Sequence, residues 1–361
     1  AQAQQAEGNL ERHQNFRGEM LTTLVDQEHW YRDIRSESWG NSGLKPERLL
    51  EILARVAEQS NETEIFDHDH QAWVQVWVSV AKDAEEKAVN ASNLFEAKTL
   101  YTEAYMAHMM ASYPHNDAEI ALREIEAAAQ SYIKAGNVER AGKVERIELE
   151  IEGVETAALL HLPKGDGPFP VVMWSGGIDV TMVEHRHHFE KHFEPEGVAF
   201  ITFDIPAVGL NQGLPFAPGK KTVVHHAVYT AIKNHSMLDE NKVAALSSSG
   251  GGVSIVRFAI ENQNIKAAVS RCGLVNGPTG NTEILSMLPQ MTLDSWATRI
   301  GANSMDIDDV SAKSTPHSLV GSGLLDGSIL TNVPLLAINT HQDPVAPPAD
   351  MLATARASAT G

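Results

Sequence analysis

Near Gly136 the spacing of apolar residues changes, and one architecture cannot serve both sides of that change. From about Glu11 to about Ala135 apolar residues recur three and four apart, as in Leu49, Leu50, Leu53 and Val56, then Trp73, Val76, Trp77 and Val80, then Leu94, Ala97, Leu100 and Tyr101. That spacing puts each set on one face of a helix. Pro46 stands where a first helical turn tolerates proline, and Ser112-Tyr113-Pro114-His115-Asn116-Asp117 predicts a break between helices. No fixed repeat period runs through this half, so a solenoid is not indicated. The expectation is an all-helical domain over residues 1–140.

After Gly136 short strand-like runs take over, at Ile147–Ile151, Ala157–His161, Val171–Trp174, Ala199–Phe203, Val243–Leu246, Ala267–Ser270 and Pro334–Asn339. Helix-length segments and glycine-rich turns separate them, which implies a mostly parallel sheet covered on both faces. Gly165-Asp166-Gly167-Pro168 reads as a turn into the first buried strand. From about Thr282 to Val320 the alternation lapses into methionine-rich, helical sequence, expected to form an insertion over the carboxyl edge of the sheet. The chain of 361 residues exceeds what one core usually organises. The second domain is therefore expected to be α/β, over residues 141–361.

Charge and cysteine content exclude several functions. With 28 Lys+Arg against 47 Asp+Glu, the formal charge of −19 repels phosphate backbones and anionic lipid. Neither nucleic acid nor a membrane is expected as a partner. No apolar run approaches the roughly 20 residues of a bilayer span. Cys272 is the only cysteine, which rules out an internal disulfide and a cysteine-based metal site. A lone cysteine fits a reducing cytoplasm, while the opening Ala1-Gln2-Ala3-Gln4-Gln5, without Met, keeps a processed signal open. No cofactor and no metal are expected, and a homodimer is the oligomer to test for.

The chemistry concentrates where Val243-Ala244-Ala245-Leu246 runs into Ser247-Ser248-Ser249-Gly250-Gly251-Gly252, followed by the helical Val253–Ile260. Strand, tight turn and helix are the context of a nucleophile elbow, here with Ser247 in place of the first glycine of G-x-S-x-G. A serine on such a turn projects its hydroxyl above the sheet only if the residues two before and two after it are small. Ser249, between Ser247 and Gly251, meets both conditions; Ser248, with Leu246 before it, meets them poorly. The competing reading is a phosphate-binding or helix-capping loop, and no lysine follows in P-loop position. The elbow, and with it an α/β-hydrolase core, is the preferred reading.

Acyl transfer also needs backbone N–H donors for the developing oxyanion. Gly250, directly after the nucleophile, supplies one. The second is expected from the loop ending the strand in Val171-Val172-Met173-Trp174-Ser175-Gly176-Gly177-Ile178-Asp179, with Gly177 as donor. In this fold the acid follows the nucleophile and the histidine follows the acid. Asp343 stands at the end of the strand Pro334–Asn339 and is the candidate acid, the alternative being an Asx-type turn before Pro344. Between Pro344 and Gly361 there is no histidine. His185, His187, His188, His225, His226, His317 and His341 all precede Asp343 and read as surface or capping residues. The sequence is therefore expected to stop before the last strand and the loop that carries the base.

The stretch Val171–Asp179, then Phe203-Asp204-Ile205-Pro206-Ala207-Val208-Gly209, the elbow, Met287-Leu288-Pro289-Gln290-Met291-Thr292-Leu293-Asp294 and Asp343-Pro344-Val345-Ala346-Pro347 occur in an order that resembles the fermentation-respiration switch protein (FrsA-like) family. His29-Trp30-Tyr31-Arg32 adds to the likeness. That family is similar to the fungal hydrolases that shorten polyketide pigment precursors and to dihydroxypseudooxynicotine hydrolase. The resemblance implies a helical domain before an α/β-hydrolase core, with an esterase-like or carbon–carbon-bond hydrolase site between them and a small-molecule ester or ketone as substrate. It also implies that Asp179, at an acidic position of the family's glycine-containing loop, touches substrate, the alternative being a helix cap. Some members lack the elbow serine, and the bacterial switch protein is associated with binding a sugar-phosphotransferase component. Two readings follow: hydrolysis through an acyl-enzyme on Ser249, and a catalytically retired hydrolase fold serving as a regulatory binding module.

Overall fold

The computed structural model describes residues 39–59, 71–113, 118–288, 290–341, 343 and 345–361. The sequence motif His29–Arg32, the helical spacing before residue 39 and most of the Ser112–Asp117 break lie outside them. The described part of the chain divides into two compact units, one running to Val144 and taking in Val183–His188, the other comprising Glu145–Met182 and Phe189–Gly361.

In the first unit the described helices are α1 (Pro46–Gln59), α2 (Gln71–Val89), α3 (Leu94–Ala111) and α4 (Ala118–Asn137). Pro46 opens α1, where its missing N–H costs nothing. Asn93 caps α3 by accepting the Glu96 N–H, and Glu96 reaches back to the Ser92 N–H at 2.8 Å. The stripes of α1 and α2 are buried at Leu49, Leu53, Val56, Trp73, Val76, Trp77 and Val80, whereas Leu94 at the start of α3 is 62% exposed and that helix buries its second half, Ala104 to Ala111, instead. Trp73, Trp77, Tyr105 and Tyr132 are almost wholly enclosed. The Trp73 indole N–H donates to the Met110 carbonyl at 2.7 Å, so its polar end is satisfied inside the core. The segment Val183–His188 is tied in by Arg186, which donates to Thr102 Oγ1 at 2.8 Å and lies over the Tyr105 ring. Among the described residues no helix is long and apolar enough to cross a membrane.

The second unit is built on a seven-stranded sheet in the order β1-β2-β4-β3-β5-β6-β7. Its strands are β1 (Val144–Ile151), β2 (Val154–His161), β3 (Phe169–Ser175), β4 (Ala199–Phe203), β5 (Leu238–Ser248), β6 (Ala267–Arg271) and β7 (Leu335–Ile338). Glu152 and Gly153, at φ 53° and 81°, close the β1–β2 hairpin. β2 meets β4 antiparallel, and from β4 through β3, β5, β6 and β7 every pairing is parallel. Each apolar run of the sequence marks one of these strands, although β5 starts five residues before the run at Val243.

The parallel strands are apolar on both sides because both sides are covered. Val171, Met173, Val243 and Ala245 face a core shared with Val228 and Ile232 of α5 (Val223–Lys233) and with Val256 and Ala259 of α6 (Gly252–Glu261). On the opposite face Val172, Trp174, Phe200 and Leu246 pack with Phe189. After β6 the chain forms α7 (Thr282–Ser286), α8 (Gln290–Ile300) and α9 (Ile307–Ser314) before returning to β7 and then α10 (Pro348–Arg356).

Two contacts hold the turns at the carboxyl edge. The buried Asp350 carboxylate on α10 accepts the backbone N–H groups of Val275, Asn276 and Gly277 at 2.9, 2.9 and 3.1 Å, satisfying three donors in the loop after β6. That same loop presses on the start of α6, where a Cβ on Gly252 would lie 2.5 Å from both Gly273 Cα and Leu274 N. Gly252 has ordinary helical angles, so close approach alone demands glycine there.

Two stability predictions follow from these contacts. Gly252→Ala gains about 1 kcal/mol of helix propensity but forces backbone apart at a cost of about 1–3 kcal/mol, so chemical denaturation should show a net loss. Asp350→Ala leaves three donors without their acceptor and should cost about 3 kcal/mol by the same measurement. Unchanged unfolding midpoints in both variants would contradict this description of the edge.

Candidate active site

The strands set a row of small hydroxyl residues at their carboxyl ends. Ser175 of β3 pairs in register with Ser247 of β5, which pairs with Ser270 of β6. Ser248 is still in strand conformation at φ −134°, ψ 159°, and the next residue, Ser249, turns to φ 52° before α6 begins. That left-handed conformation disfavours a side chain by about 1–2 kcal/mol, and the hydrogen bond from the Leu274 N–H to the Ser249 carbonyl, 3.0 Å, helps fix it. Ser249 is half-buried, at a strand-to-helix turn, as the elbow motif predicts.

Gly177 lies directly against it. A Cβ on Gly177 would sit 2.7 Å from Ser249 Cβ and 3.1 Å from both Ser249 Oγ and the Gly250 nitrogen. The structure therefore brings Ser249, Gly250 and Gly177 into one cluster. Under this cluster runs a buried hydrogen-bond chain that sequence reasoning missed. Ser247 Oγ donates toward the Ser175 and Gly176 carbonyls at 3.2 and 3.5 Å, Ser175 Oγ donates to Ser247 Oγ at 2.8 Å, and His225 Nε2 lies 3.2 Å from Ser175 Oγ. Hydroxyls at matching positions of two strand ends were the available signal, but their link to His225 needed the fold.

Asp343 follows β7 and is half-buried, its Oδ1 accepting the Val345 and Ala346 N–H groups at 2.8 and 3.0 Å. The Asx-type turn and the position expected of the acid thus coexist, since the turn uses only one carboxylate oxygen. Cys272 follows β6 and also has a positive φ, 43°. Burial pushes its thiol pKa up, opposed by the Ser249 backbone and Arg271, while the carboxylates of Asp343 and Asp179 push it further. Asp179 is buried at 8 % exposure. It also acts on Arg299, whose pKa burial pulls down to about 10 against the opposing charges of Asp179 and Asp204.

Beside Ser249 opens a pocket whose empty space, counting that open to solvent, is about 460 Å³. Its walls are largely apolar, with Ile178, Val253, Leu274, Leu288, Trp296 and Val345 among them. Leu288, Thr292 and Trp296 come from the segment between β6 and β7, so the insertion shapes the pocket. His317 lines it too, stacked at 5.4 Å on Phe216 and edge-on to Trp296.

The histidines correct one sequence expectation. His185, His225 and His317 are buried rather than surface residues, whereas His341 is exposed. Burial, with the charge of Lys221 adding to it, lowers the His317 pKa to about 3, which makes it a feeble proton acceptor at neutral pH. Burial lowers His225 to about 3 as well, so this ring stays neutral beneath the elbow.

Comparison with known proteins places this geometry in context. The chain is 27% identical over 329 residues to "Esterase FrsA" of Salmonella typhi, covering 88% of this chain and 78% of that protein. It is 28% identical to "Esterase FrsA" of Vibrio parahaemolyticus, covering 89% and 79%. The solved structure of 2,6-dihydroxy-pseudo-oxynicotine hydrolase superposes with a TM-score of 0.70 at 18% identity, covering 89% of this chain and 85% of that one. AbyA5 superposes at 0.66, also at 18% identity, covering 91% and 86%. Both share the fold, a sheet-centred α/β-hydrolase. With residues 8–361 matched to the family described as esterase FrsA-like, the chain belongs to that family.

Proposed function

We propose that this protein is a serine hydrolase that cleaves a small carboxylic ester, or an activated carbon–carbon bond next to a ketone, through an acyl-enzyme on Ser249. The observation that carries the reading is Ser249 held at φ 52° between β5 and α6 with Gly177 packed against its hydroxyl. Membership in an esterase family supports it. Ser249 Oγ attacks the substrate carbonyl carbon while a base takes its proton, and the N–H groups of Gly177 and Gly250 receive the oxyanion. Collapse expels the alcohol or carbon leaving group, which takes up the proton held by the base. Water then repeats the sequence on the acyl-enzyme and releases the acid. Asp343 is assigned to orient the base, which in this fold is a histidine.

The pocket beside Ser249 is the natural seat for the acyl group. Its apolar walls exclude water and strengthen the oxyanion contacts. Asp179, which is buried, is assigned to the substrate side of the glycine loop.

In the full-length protein, Ser249→Ala should lower kcat/KM for a small aryl ester by about 10⁴-fold or more while leaving binding intact. Asp343→Asn should lower kcat by about 10²–10⁴-fold, because the imidazole loses its tautomer partner. Ser248→Ala should leave kcat/KM in the wild-type range, since its side chain belongs to the strand. Wild-type turnover by Ser249→Ala would sink the reading, and equal losses from Ser248→Ala and Ser249→Ala would assign the nucleophile wrongly.

A further inference from the structure

The buried chain below the elbow has a polarity. Ser247 Oγ has one proton, and the geometry aims it at the Ser175 and Gly176 carbonyls. Ser247 must then accept from Ser175 Oγ, which in turn must accept from His225. This requires the His225 proton on Nε2. The other nitrogen, Nδ1, is buried without a partner, and a bare lone pair there is less costly than a stranded N–H would be. Phe203 and Phe258 pack the ring at 4.9 and 5.4 Å, so it has no polar alternative on those sides.

In a planar trans unit the C=O of one residue and the N–H of the next point in opposite directions. A Gly176 carbonyl drawn toward Ser247 therefore leaves the Gly177 N–H pointing the opposite way, and Gly177 itself lies against Ser249 and the Gly250 nitrogen. We propose that Ser247, oriented by His225 through Ser175, is a positioning residue that aims the Gly177 N–H at the oxyanion. This rests on Ser249 being the nucleophile and Gly177 an oxyanion donor. It also gives a reason for serine, rather than the glycine of the common elbow pattern, at residue 247: glycine would leave the Gly176 carbonyl without this partner.

The test uses the full-length protein and a small aryl ester. Outright removal of an oxyanion donor costs about 10²–10³-fold in kcat, and a donor merely loosened should cost less, about tenfold. Ser247→Ala, Ser175→Ala and His225→Phe should each lower kcat by about tenfold with KM within about twofold. The double variant Ser175→Ala/Ser247→Ala should be no worse than either single one, because the residues act as one chain. Amide exchange at Gly177 should quicken in Ser247→Ala even when no substrate is present, and a nitrogen spectrum of labelled histidine should place the His225 proton on Nε2. Wild-type kcat and unchanged Gly177 exchange in Ser247→Ala would overturn the proposal, as would an Nδ1–H tautomer, which reverses the chain. Loss of the nucleophile assignment would show separately, as Ser249→Ala that still turns over while the exchange and tautomer results stand.

Discussion

Three backbone turns, after β3, β5 and β6, meet over the carboxyl edge of the sheet, and they can meet only because the side chains there are short or absent. A single Cβ at Gly177 would enter the space of Ser249, and one at Gly252 would strike the loop that follows β6. Close packing of this kind is intolerant of even one added methylene. The positive φ of Ser249 survives because neighbouring turns hold it, with Leu274 bonding its carbonyl and Asp350 gathering the loop that contains Leu274's neighbours. Stability is spent there to present one hydroxyl at the mouth of an apolar pocket.

The same constraint explains why so much of the fold could be read in the sequence. Buried parallel strands must be apolar on both faces, so each appears as a short unbroken run, and the crowded turns after β3 and β5 are made of serine and glycine. The elbow, the glycine loop at residues 176–177 and the strand before Asp343 were legible for that reason. Boundaries were less so: β5 begins at Leu238 because Asp239, Glu240, Asn241 and Lys242, although polar, continue the strand where it is solvent-exposed.

Other features depend on contacts between distant residues, for which local periodicity has no signal. Asp350 bonds to groups some 75 positions away, and His225 reaches Ser175 across 50. Histidine carries little hydropathy information, so His225 and His317 read as surface residues although the fold buries both against aromatic rings. The pocket was likewise hidden, since Thr292, Trp296 and His317 come from helical sequence that gives no indication of which face turns toward the elbow.

The central claim is that the strained turn activates one serine among three neighbours. Reaction of the full-length protein with a fluorophosphonate probe, followed by mapping of the modified peptide, tests it most directly. The account predicts stoichiometric modification of Ser249, with Ser247 and Ser248 untouched and no labelling in Ser249→Ala. Absence of modification, or labelling that persists in Ser249→Ala, would contradict it and favour a hydrolase fold that binds without cleaving.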